Sequence, residues 1–284
     1  MAQKGDLMTA RPDIRVLDAT IRDGGLVNNF MFTDDFINAL YRANVKAGID
    51  YMEFGYKASK ELFDVNKFGK WKFCDEAAIR EIVGDNNSDM KISVMADVGR
   101  CDYKKDILPR EDSVIDMVRV ATYVHQMPSA IEMIEDAKSK GYEVTCNIMA
   151  ISNTQESDLD QALDMVAKRS ADNYQQLAFA NTIEAAAQGV SLLDATMMGM
   201  GRGAGNCAME LLLSFLKNPK YNVFPVLKFV EEHMLPLKES GAVWGYDIPY
   251  LLTGRLNQHP SAAIDYIKSG ETHYADFYTD LLDK

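Results

Sequence analysis

The stretch Leu17-Asp18-Ala19-Thr20-Ile21-Arg22-Asp23-Gly24-Gly25 reads as an apolar strand that runs out into an Arg-Asp pair and two glycines. A fixed cation then stands beside an anion at a strand's carboxyl end, which in a parallel α/β fold is where ligands and metals bind. Gly24 and Gly25 are expected to let the backbone turn there with no side chain in the way. The alternative is an Arg-Asp pair on a surface turn, an arrangement worth little energetically.

Similar apolar runs occur from Ile14 to Thr20, Tyr51 to Tyr56, Lys91 to Val98, Met117 to Val124, Tyr142 to Ala150 and Ser191 to Met198. Most are too continuously apolar to have one wet face, which fits parallel strands covered on both sides. Helical patterns lie between them. Thr33-Asp34-Asp35 caps a helix whose buried stripe is Phe36, Ile37, Leu40 and Tyr41, and Gly48 ends it. Pro128 to Lys140 is a second helix, closed by Gly141, and Asp158 to Arg169 a third with Leu159, Leu163 and Val166 on one face. Strand-helix units on short connections predict a parallel sheet, open or closed into a barrel.

The alternation breaks once. After Arg169 the segment Asn173 to Gln188 is again helical, and only Ser170, Ala171 and Asp172 separate the two helices. A right-handed βαβ wind needs a strand there. Either the chain makes a bundle-like detour or about 40 residues, enough for strand, helix and strand, are absent near Asp172/Asn173. The second reading is preferred, because six visible strands and two absent ones make eight. Beyond the last strand, Asn206 to Leu216 and Val226 to Glu239 read as helices separated by Pro219 and Pro225, and Ala242 to Lys284 is aromatic and polar. The expected organisation is a barrel over residues 1–217 and a helical extension over 218–284 packed on it.

Composition excludes several function classes. A net charge of −12 disfavours nucleic acid and anionic membranes, since both demand clustered Lys and Arg. The usage of 47% hydrophobic and 25% charged residues is that of an ordinary globular enzyme. Cys74, Cys101, Cys146 and Cys207 lie far apart, without the spacing of a zinc or redox motif, and are expected to be inert. With no apolar leader near Met1 and no membrane-length apolar run, the cytoplasm is the expected compartment.

Few residues are left to carry chemistry. Glu53 interrupts the apolar run Ile49 to Tyr56, where an unpaired carboxylate is costly, and Arg22 on the neighbouring strand is its expected partner. A purely structural buried ion pair fits the same residues. Gly199-Met200-Gly201-Arg202-Gly203-Ala204-Gly205-Asn206 follows a strand and opens a helix, so its backbone N–H groups suit an anion. A dinucleotide site is rejected, because Leu216, Lys217, Asn218 and Pro219 stand where the ribose-binding acid belongs. Asn206 offers an oxygen to a hard cation, or is an ordinary helix cap. Of His125, His233, His259 and His273, no two are spaced as metal ligands, and only His125 falls at the end of a strand, as a catalytic or a structural residue.

Taken together, Thr20 to Gly25, Glu53 and Gly199 to Asn206 resemble motifs of the HMG-CoA lyase-like (DRE-TIM) metallolyase superfamily, over roughly Ile14 to Leu216. The likeness is nearest to the 4-hydroxy-2-oxovalerate aldolase branch. It implies a TIM (β/α)8 barrel, a divalent metal (Mn2+ or Mg2+), Asp23 and Asn206 as metal ligands, Arg22 as the group that stabilises an enolate oxygen and Glu53 as its orienting partner. The implied reaction is aldolase or lyase chemistry on a small 2-oxo or hydroxy acid, releasing or taking up an aldehyde, with His125 a further candidate catalytic residue. An acyl-CoA-dependent condensing synthase and a non-catalytic barrel that binds a small acid or a partner protein are the alternatives. A homodimer or a dehydrogenase partner is compatible with this reading. Two features depart from the family pattern: its His-x-His metal pair on the seventh strand is lacking, and Leu26 replaces a histidine of the aldolase branch.

Overall fold

The computed structural model describes residues 11–150, 154–155, 157–159, 161, 178–216 and 218–283. Among these residues, six strands make up one sheet: β1 (Arg15–Asp18), β2 (Tyr51–Tyr56), β3 (Lys91–Asp97), β4 (Met117–Thr122), β5 (Glu143–Ile148) and β6 (Leu192–Ala195). All neighbours are parallel, in the order β5-β4-β3-β2-β1-β6. The last strand pairs with the first, Leu17 against Asp194. That order follows the circular order of a parallel barrel, with β5 and β6 at the two ends of the described arc. The Asp172/Asn173 junction itself lies outside the described residues.

The curl of the sheet follows from its side chains. In a flat sheet β4 and β6 would stand four strand spacings apart, about 19 Å. Yet Arg119 on β4 reaches Asp194 on β6 with Nη2 to Oδ2 at 2.5 Å. Similarly, the Tyr51 hydroxyl on β2 donates to Glu143 on β5 at 2.8 Å. The inner face is therefore concave and polar, with one small apolar cluster of Leu17, Ala19, Tyr51 and Met117. Alternate positions point outward, and there Val16, Met52, Phe54, Ile92, Val94, Val118, Val120 and Leu193 belong to the large core under the helices.

The helices are written locally. α1 spans Thr20–Asn28 and α2 spans Asp34–Ala47. In α2, Thr33 Oγ1 accepts from the Phe36 N–H, Asp34 and Asp35 sit in the positive first turn, and Gly48 closes the helix at φ 75°. The face α2 buries is Ile37, Leu40, Ala43, Asn44 and Ala47, with Phe36 and Tyr41 half-buried at its margin.

α1 corrects the reading of the opening motif. The strand stops at Asp18, whose carboxylate accepts from the Thr20 N–H, and Arg22-Asp23-Gly24-Gly25 lie inside the helix that follows. The glycines serve close packing, since a Cβ on Gly24 would meet Met200 Sδ at 2.7 Å and one on Gly25 the Phe30 ring at 2.1 Å. The helix expected to begin at Asn206 begins at Met209.

The C-terminal residues fold into short helices that pack back on this scaffold. Phe229 meets Phe36 edge-on at 5.2 Å, and the Tyr221 hydroxyl bonds Asp50 at 2.8 Å. Trp244 Nε1 donates to the Met198 carbonyl at 3.0 Å, tying the tail to the glycine-rich loop. Among the described residues, no helix is long and apolar enough to cross a membrane.

Candidate active site

The site is assembled at the carboxyl end of the sheet around one fully buried carboxylate. Glu53 Oε2 accepts from Arg22 Nε at 2.8 Å and from Arg119 Nη1 at 3.1 Å. Arg22 Nη1 also pairs with Asp23 Oδ1 at 3.0 Å, and Arg119 passes on to Asp194. A charged chain thus runs Asp23–Arg22–Glu53–Arg119–Asp194 across helix α1 and strands β2, β4 and β6. Burial on its own would weaken the hold of each arginine on its proton. Asp23 and Glu53 for Arg22, and Asp194 and Glu53 for Arg119, more than reverse this and keep both charged.

Some valences are left open. Glu53 Oε1 is buried and accepts no hydrogen bond among the described residues. Arg22 is clamped through Nε and Nη1, while Nη2 makes no hydrogen bond among the described residues. A bulge between Glu53 and Tyr56, centred on Gly55 at φ 148°, re-aims the end of β2 and brings Tyr56 into electrostatic contact with Arg22. Burial raises the Tyr56 phenol far above its ordinary value, so it stays protonated.

Asp23 and Asn206 both border Gly201. A Cβ on Gly201 would lie 2.1 Å from Asn206 Nδ2 and 3.1 Å from Asp23 Oδ2, so only glycine fits between them. Asn206 Nδ2 donates to the Met200 carbonyl at 3.0 Å and is not a helix cap. As a cation site the arrangement is incomplete. Asp23 already pairs with Arg22, and no group of three or more His, Cys, Asp and Glu side chains suited to a metal exists among the described residues. These residues alone do not fit a divalent ion.

Arg22, Glu53, Asp23 and Asn206 are therefore brought to one region, and His125 is not. It lies on the turn Val124–Gln126 beyond β4, stacks on Tyr123 at 5.7 Å and lines a cavity of about 670 Å³ with Met127, Met149, Thr154 and Asp158. The thiols are held protonated: burial pushes Cys101 up to about 12 and Cys146 and Cys207 up to about 11, and raises Cys74 as well. Sequence reading overlooked Arg119, although it interrupts an apolar strand just as Glu53 does. It also overlooked Asp194, Lys72 and Asp97.

Known proteins match this chain in sequence and in fold. The HMGL-like family model matches residues 171–231, starting beside the break in strand-helix alternation. Oxaloacetate decarboxylase of Mycobacterium tuberculosis is 27% identical over 242 residues, covering 71% of this chain and 69% of that protein. A 4-hydroxy-2-oxovalerate aldolase of Thermus thermophilus is 25% identical over 277 residues, covering 82% and 78%. In the first of these alignments, 71% of this chain is about 200 residues, so about 40 of the 242 aligned positions have no counterpart here. Among solved structures, the N-terminal domain of a Bacteroides vulgatus protein assigned as an aldolase superposes with a TM-score of 0.71 at 25% identity, covering 89% of this chain and 96% of that one. Hydroxymethylglutaryl-CoA lyase of Pseudomonas aeruginosa shares the fold at a TM-score of 0.58 and 15% identity, covering 81% and 95%.

Proposed function

We propose, from the kinship of this chain with the HMGL-like proteins and their aldolase and decarboxylase relatives, that it is a carbon–carbon lyase of the aldolase type. Its substrate is a small 2-oxo acid whose bond is cleaved, or formed, through an enolate. The observation that carries this reading is Arg22, a permanently charged guanidinium clamped by Glu53 and Asp23 with Nη2 left free at the sheet's carboxyl end.

When the bond next to an oxo group breaks, its electron pair moves onto the oxo oxygen. A fixed donor aimed at that oxygen stabilises the transition state more than the ground state, and needs no reorganisation to do so. Arg22 is such a donor, because Glu53 and Asp23 hold its plane and Arg119 holds Glu53 in turn. No proton need leave Arg22, and its neighbours ensure that none does. The family resemblance implies a divalent cation, which these residues alone do not hold, so the reading rests on Arg22. Asp23 and Asn206 are the residues that would face the cation, and the described residues add no third ligand.

The test is pyruvate release from 4-hydroxy-2-oxo acids, followed with a coupled dehydrogenase, with and without added Mn2+ or Mg2+. Arg22→Ala is expected to lower kcat by about 10²–10³-fold, the cost of losing one oxyanion donor. Turnover in Arg22→Ala equal to that of the parent protein removes Arg22 from this role. No turnover by the parent protein on any such acid overturns the reading as a whole.

A further inference from the structure

Cleaving a hydroxy acid needs a second group besides the enolate stabiliser: something must take the hydroxyl proton as that oxygen becomes a carbonyl. Of the carboxylates near Arg22, Asp23 is paired with it and Glu53 holds two arginines. Tyr56 is kept protonated by burial. Asp97 remains, at the last residue of β3, with its side chain only 14% exposed. Among the described residues its Oδ1 is buried without a hydrogen-bond partner, and its Oδ2 has only Arg100, loosely, at 3.9 Å.

Close by is an ammonium with the complementary defect. Lys72, 5% exposed, ends the turn Lys70–Lys72, and its Nζ lies 4.3 Å from the Tyr56 ring centre, 4.5 Å from Phe63, 5.2 Å from Phe30 and 5.9 Å from Phe68. The rings steady a positive charge but accept no conventional hydrogen bond. No carboxylate lies within 4.0 Å of Nζ among the described residues, yet Asp97 is its foremost electrostatic partner. A buried acceptor and a buried donor, each short of a conventional hydrogen-bond partner among the described residues and electrostatically coupled, suit a group that donates to one and accepts from the other. A hydroxyl does both.

We propose that Asp97, with Lys72 as its positioning cation, receives the proton of the substrate hydroxyl. This rests on the lyase reading of the Arg22 site. In the step, the hydroxyl proton passes to Asp97 Oδ1 and the O–H electron pair closes the new aldehyde carbonyl. The carbon–carbon pair moves into the enolate, whose oxygen charge is met by Arg22. The enolate carbon then takes a proton from water and Asp97 returns its own to solvent, so the cleavage is redox-neutral and Asp97 ends as it began. Burial raises the Asp97 carboxyl from its ordinary value, opposed by Lys72, Arg100 and Arg22 and aided by Glu53. Burial likewise lowers the Lys72 ammonium, opposed by Asp97 and aided by Arg100 and Arg202, with the Cys74 thiol also near. Both move toward the range where proton transfer is easy.

The experiment compares two reactions of one site. Decarboxylation of oxaloacetate passes through an enolate but has no hydroxyl to deprotonate, whereas cleavage of a 4-hydroxy-2-oxo acid needs both steps. Asp97→Asn is expected to lower kcat for hydroxy-acid cleavage at least 100-fold while decarboxylation falls less than threefold. Lys72→Met is expected to move the acid limb of kcat/KM for cleavage to higher pH, and Lys72→Arg to restore it. Equal losses in both reactions, or no loss in either, overturn the assignment of Asp97. If the parent protein catalyses neither reaction, the lyase reading fails first, and that is seen before any variant is made.

Discussion

Replacing Glu53 by Gln removes one charge from the centre of the buried chain while keeping the side chain's shape. Glu53 is fully buried and its Oε2 holds both Arg22 and Arg119. Breaking a buried ion pair from one side costs about 3–5 kcal/mol, because the partner charge is left uncompensated. Arg22 retains Asp23 and Arg119 retains Asp194, so the lower figure, about 3 kcal/mol, is expected here. For a protein of this size that is a fall in melting temperature of roughly 6–12 °C. The assay is urea and thermal unfolding of Glu53→Gln beside Glu81→Gln, whose carboxylate pairs at the surface with Lys70 and is 64% exposed. The surface variant should change stability by no more than about 0.5 kcal/mol. Arg119→Met, alone and combined with Glu53→Gln, completes a double-mutant cycle and isolates the pair energy. A loss in Glu53→Gln no larger than in Glu81→Gln would refute the argument that this carboxylate anchors the site.

Two further perturbations test the scaffold. Asp18 is buried and bonded to Thr20 and Asn44, and burial lifts its carboxyl from 3.8 to about 6, so the folded chain binds more protons than the unfolded one between those values. Its contribution favours folding below about pH 4 and declines as pH rises through 6, by about 3 kcal/mol in all; urea unfolding of the parent and Asp18→Asn across that window should show their stability difference shifting by this amount, and a pH-independent difference counts against it. Gly25→Ala drives a methyl into the Phe30 ring and should cost about 1–3 kcal/mol, more than Gly24→Ala, which presses on the flexible Met200 side chain; unfolding midpoints in the reverse order would contradict the packing argument.

Much of the fold was legible because buried parallel strands are written as continuous apolar runs, and all six occur where such runs were read. Glu53 and Arg22 were legible for the same reason, as a charge in an apolar run demands a partner. The end of β1 was not. Arg22 and Asp23 belong to α1 because the Asp18 carboxylate stops the strand by bonding the Thr20 N–H, and because Met200 and Phe30, distant in sequence or folded back, need bare glycine backbone against them. The bond from Arg119 to Asp194 spans 75 positions of sequence and exists only once the sheet has curled. The cage around Lys72 draws its rings from four separate places in the chain, with no spacing to betray it.

The order β5-β4-β3-β2-β1-β6 has a practical corollary. Every member of the charged chain is carried on α1, β2, β4 and β6, and among the described residues none of its links involves the segment between β5 and β6. A strand-helix-strand cassette borrowed from a relative and spliced between Asp172 and Asn173 could therefore import imidazole ligands without redrawing the electrostatics already in place. The chain is thus a ready chassis for asking what a further pair of strands contributes to catalysis.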